Sequence, residues 1–122
     1  MKTARDPRHL NRIKIMQELY SYSFNDNSPL SADAKAIVSV FSQIDKLISD
    51  AAPAWPLGKI NKIDLAVLRL ASYELTNKKD TPPKVVIDEA VEIGKEYGSD
   101  SSGSFINGVL GKILLSLQRS EV

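Results

Sequence analysis

The chain has no cysteine, one histidine (His9) and one tryptophan (Trp55) in 122 residues. Without cysteine there are no disulfides, thiolate nucleophiles or thiolate-bound metals, which suits a reducing compartment. A single histidine leaves no multi-histidine metal site. Glycines are few, and Gly103, Gly108 and Gly111 are wrongly spaced for a phosphate-binding loop, with no Lys-Ser/Thr pair after them. No apolar run approaches the ~20 residues of a membrane span, and the N-terminus lacks the apolar stretch of a signal peptide. A soluble cytoplasmic domain without cofactor or metal is therefore expected. Acidic residues Asp88, Glu89 and Glu92 share one segment, but no second segment offers complementary groups, so no catalytic site is expected.

What the chain does have is an uneven charge. Residues 1–14 carry Lys2, Arg5, Arg8, Arg12 and Lys14 against Asp6 alone, a net of +4, and the remainder carries −3. A basic end on a mildly acidic body fits a polyanion-binding arm; a solvated helix face is the other reading. His9 lies among these cations and is expected at the surface.

Apolar spacing predicts helices almost throughout, with no sustained strand alternation. Asp6 as cap and Pro7 at the first position start a helix running to about Phe24, with Leu10, Ile13, Met16, Tyr20 and Phe24 as its stripe. A second helix is expected over residues 31–51, ended by Pro53 and Pro56, with Trp55 as a packing anchor. Asn61 caps a third helix whose apolar residues occur on nearly every side, which predicts a central position. Arg69 and Glu74 interrupt it and should each find a partner or the surface. Thr81 and Pro82 open a fourth helix that Gly98 ends. A last helix runs from about Asp100 or Ser101 to Leu117 on a Phe105, Val109, Ile113, Leu117 stripe; Gly111 within it suggests close helix packing. The fold class is all-α: about five to seven helices in one domain, divided into subdomains 1–52 and 57–120.

Several strings occur in a telling order: Gln17, Leu19-Tyr20; Leu68-Arg69, Ala71, Tyr73-Glu74-Leu75; Asp80 and Pro82; Glu89-Ala90; Lys95; and Phe105-Ile106-Asn107-Gly108. In this order the chain resembles the NusB family of transcription antitermination factors over most of its length. It departs from the family pattern at Asn11, Ile15, Asp88 and Gly94, and His9-Leu10 interrupts the arginine run.

The resemblance implies a compact bundle of two helical subdomains and a non-catalytic role. Such proteins pair with the ribosomal protein NusE, bind boxA RNA in ribosomal RNA leaders, and join other Nus factors on the RNA polymerase elongation complex, aiding rRNA transcription and processing. Carried onto this chain, the implied RNA-binding residues are Lys2, Arg5, Arg8, His9 and Arg12, with the aromatics Tyr20 and Phe105. The implied partner-binding residues are Asp64, Arg69, Glu74, Asp88 and Glu92, acidity suiting a basic ribosomal protein. A protein-interaction module of the same fold without sequence-specific RNA binding is the alternative, and monomer and homodimer both stay open. NusB-like domains also occur fused to rRNA methyltransferases, but no cofactor-binding domain follows before Val122, so methyl transfer is not expected.

Overall fold

The computed structural model describes residues 6–120; Lys2 and Arg5 lie outside the described residues. Those residues form six α-helices and one 3₁₀ turn: α1 (Pro7–Tyr22), α2 (Ala32–Val38), α3 (Phe41–Ala51), the turn Leu57–Lys59, α4 (Lys62–Asn77), α5 (Pro83–Tyr97) and α6 (Ser102–Ser120). No helix among them is long and apolar enough to cross a membrane.

The all-round apolar character of α4 has the expected result. Leu65, Ala66, Val67, Leu68, Leu70 and Ala71 are all buried, and α4 touches every other helix. One apolar core gathers Met16 and Leu19 of α1, Ile37 of α2, Ile44 and Ile48 of α3, Val86 and Ile93 of α5, and Ile106, Leu110 and Ile113 of α6 around it.

The local signals explain several boundaries. The Asp6 carboxylate accepts from the Arg8 amide at 2.9 Å, with Pro7 at the first helical position. Asn61 accepts from the amides of Ile63 and Asp64. Gly98 caps the end of α5, where a Cβ would run into Ser102 Oγ. The start of α5 falls one residue later than expected, with Pro82 as cap and Pro83 first.

Four expectations need correction. The helix over 31–51 is two helices. Ser39 Oγ donates to the Ala36 carbonyl at 2.6 Å and Val40 leaves helical geometry at φ −121°, ψ 24°, so a local side-chain bond competes with the helix ladder. The buried face of α1 is rotated: Ile15, Met16 and Leu19 are buried, while Leu10 and Phe24 are 49% and 63% exposed. Gly111 is not a close-packing point, since a Cβ there would meet nothing within 4 Å; close approach occurs instead at Gly94, whose Cβ would run into Ile106 of α6. Trp55 is no buried anchor, being 51% exposed.

Candidate functional site

Side chains from the first two turns of α1 reach the middle of α5, and the basic and acidic parts of the chain meet there. Arg8 projects into solvent with its side chain 83% exposed; its guanidinium bonds back to Asp6 at 3.3 Å and 3.4 Å. Those Arg8 side-chain bonds, then its amide, hold the Asp6 carboxyl below the usual aspartate value. Two grooves open beside Arg8. One, of about 640 Å³, includes Asp6, Thr81, Val85 and Asp88, with His9, Arg12 and Glu89 also in its lining; the other, of about 210 Å³, includes Asn11, Arg12, Asp33 and Tyr73.

The surface expectation for His9 is overturned: it is 3% exposed. Its Nδ1 lies 3.0 Å from Glu89 Oε1, and its Nε2 lies 3.7 Å from Glu92 Oε1. Arg12, one turn further on, is turned inward as well. Its Nε and Nη2 grip the Glu74 carboxylate at 2.9 Å and 2.8 Å, and Nη1 donates to Glu89 Oε1 at 3.2 Å. The planar guanidinium matches the carboxylate as a fork, a geometry lysine cannot reproduce. The Glu74 hydrogen bonds are the main reason that the Arg12 pKa is raised above its ordinary value, against the opposing effect of burial. This network explains the rotated face of α1. His9, Arg12, Met16 and Leu19 recur at three- and four-residue steps, so two polar side chains open the buried stripe.

The aromatic candidates stand apart from this network. Tyr20 is half-buried with its ring 5.0 Å from the exposed Phe24 ring, edge to face. Half-buried Phe105 makes the same contact with exposed Trp55, at 5.9 Å and 71°. Beside that pair a pocket of about 400 Å³ includes Lys59, Asn61, Asp64, Ser101 and Ser104. Sequence reasoning missed Trp55 as the exposed neighbour of Phe105; only its place after Pro53 hinted that it lay off the helices.

The acidic candidates divide in the same way. Glu74 is committed to Arg12. Asp64 is buried, and burial raises its pKa while a hydrogen bond with Ser102 works against the rise; its Oδ1 has no hydrogen-bond partner among the described residues. Arg69 forms a fork on Asp45, 2.9 Å on each arm, and its guanidinium carbon sits 4.1 Å over the Phe41 ring, so it ties α4 to α3. Asp88 and Glu92 are the exposed pair on α5, with Lys84 3.3 Å from Asp88. No group of three or more His, Cys, Asp or Glu side chains among the described residues is arranged to hold a metal ion.

Residues 9–115 match the sequence model of the NusB family. The chain belongs to the NusB family. Among NusB relatives, the transcription antitermination protein NusB of Acetivibrio thermocellus is 42% identical over 103 residues, which is 84% of this chain and 71% of the relative. That of Chloroflexus aggregans is 38% identical over 129 residues, 88% of this chain and 86% of the relative. The solved structure of T. maritima NusB is similar over 100% of both chains, with a TM-score of 0.81 and 34% identity. A solved complex of the antitermination factors NusB and NusE with dsRNA has a chain of the same fold, with a TM-score of 0.77 at 21% identity, covering 89% of this chain and 96% of that one. The NusB fold of this chain is thus all-helical, as expected.

Proposed function

We propose that this chain is a non-catalytic, cytoplasmic RNA-binding transcription antitermination factor that pairs with NusE on boxA RNA. The observation that carries this reading is the family match over residues 9–115, with relatives named as antitermination proteins. The shared fold with a NusB chain solved together with NusE and dsRNA supports the choice of both partners. Phosphate contact falls to Arg8, which is exposed between two grooves, together with Lys2 and Arg5. Tyr20 and Phe105 offer half-exposed rings on which unpaired bases stack. His9 and Arg12 serve beneath that surface. Of the candidates on the protein side, Asp88 and Glu92 are exposed and accessible to a basic partner, while Asp64, Arg69 and Glu74 are buried or half-buried on α4. The subdomain division at residues 52–57, and membership of an assembly with other Nus factors and RNA polymerase, belong to the same proposal.

The inward turn of two of the five candidate cations favours a second reading, an interaction module that binds NusE without selecting RNA. One experiment separates the two. Binding of boxA RNA and of a scrambled RNA is measured at two salt concentrations, with and without NusE. Selective binding that strengthens with NusE supports the first reading, and Arg8→Ala then lowers the salt slope by about 1 without changing stability. NusE binding with no RNA preference supports the second.

A further inference from the structure

Among the described residues, Arg8 makes one direct ion contact, to its own cap, Asp6. The next residue, by contrast, is held across the fold. His9 Nδ1 meets Glu89 Oε1 of α5 at 3.0 Å, 80 residues away in sequence, with both side chains almost fully buried. The same Glu89 oxygen receives Arg12 Nη1 at 3.2 Å. His9 and Arg12 lie three apart on one face of α1. Two contacts spaced that way on one carboxylate fix both the rotation of α1 and its position along its axis. A first helical turn frays readily, because its amides lack intrahelical partners. Here the turn that carries Arg8 is the one pinned.

We infer that the His9–Glu89 contact, backed by Glu92, is a positioning latch for RNA binding. It aims Arg8 without touching RNA. The inference rests on the RNA-binding reading and deepens it. With α1 pinned, Arg8, about 100° further round the helix, faces the grooves on either side of it. A binding group held in place before the ligand arrives gives tighter binding than the same group on a fraying end, since less ordering remains to be done on association.

The test is a double-mutant cycle on the full chain with boxA RNA and NusE. His9→Leu keeps the volume and removes the donor; His9→Gln retains an N–H for Glu89. Expected is roughly fivefold weaker RNA binding for His9→Leu, with partial recovery in His9→Gln. The decisive readout is coupling. Arg8→Ala weakens binding in the wild-type background but adds little once His9→Leu has released the turn, while the effects on melting temperature stay additive. A merely structural His9 lowers the melting temperature and leaves RNA affinity unchanged below the transition, which overturns the inference. A His9 that contacts RNA directly gives additive losses with Arg8→Ala, which overturns it too. Should His9→Leu fail to fold, the cycle is run with His9→Gln and Arg8→Ala, with a coupling expected that is smaller in proportion to the smaller loss in His9→Gln. If the wild-type chain itself shows no RNA preference, the RNA-binding reading fails and the latch with it; selective wild-type binding without coupling overturns the latch alone.

Discussion

Replacing Arg12 with methionine keeps an unbranched side chain and removes the guanidinium that joins α1 to both α4 and α5. Four N–H···O contacts disappear, three to Glu74 and one to Glu89. Glu89 keeps His9, but Glu74 is left as a buried carboxylate without its cation. Breaking a buried ion pair from one side costs about 3–5 kcal/mol, because the abandoned charge keeps its desolvation penalty. The side chains of Arg12 and Glu74 are 13% and 11% exposed, so some water reaches the pair and the lower end applies, about 3 kcal/mol. A domain of this size then melts roughly 10–15 °C lower. Thermal melts followed by circular dichroism and urea titrations at pH 7 read both quantities, with an unchanged urea slope expected. Adding Glu74→Leu to Arg12→Met removes the stranded charge and should restore a good part of the loss. A loss below about 1 kcal/mol for Arg12→Met would mean that the fork behaves as a surface pair, and the case for a buried clasp would collapse.

Three further outcomes follow from the same geometry. Gly111→Ala should raise stability by about 0.5–1 kcal/mol in urea titrations, because α6 gains a better helix former where a Cβ meets open space. Gly94→Ala should do the reverse by about 1 kcal/mol or more, since Ile106 has to move aside. Burial raises the Asp64 pKa above its ordinary 3.8, so the folded chain holds that proton more strongly than the unfolded one, and stability falls as pH rises through the window above 3.8. Asp64→Asn removes that loss: melts should coincide with the wild type near pH 3 and lie higher at pH 7, and a wild-type advantage at pH 7 would show that the Ser102 bond outweighs burial.

Legibility in the sequence followed the kind of signal each residue carries. Caps and stops are local chemistry, so Asp6, Pro7, Asn61 and Gly98 could be placed to within a residue. Apolar spacing located α4 at the centre, because a helix without a polar face has one place to go. The division between α2 and α3 escaped, since the run from Ala36 to Phe41 holds no proline or glycine and the break rests on one serine hydroxyl. The orientation of α1 escaped for a related reason. Hydropathy counts His9 and Arg12 as solvent-facing, yet here they lie on the buried face, and their partners stand 62 to 80 residues away. The family strings pointed to Glu74 and Glu89 by position, but pairing is a property of three helices at once. The motif order therefore carried family membership well, while the division of labour among the basic residues needed coordinates.

The reach of those pairings has a consequence for synthesis. The contacts of α1 to Glu89 close a span of 77 residues from Arg12 and 80 from His9. At about 5–20 residues per second, roughly 4–15 s pass between the appearance of Arg12 and that of its second carboxylate. Throughout that interval the N-terminal helix can collapse onto its own neighbours but cannot take its final bearing. The surface around Arg8 thus takes its final bearing only after α5 has been made, which couples an ordered polyanion-facing surface on α1 to translation through Glu89.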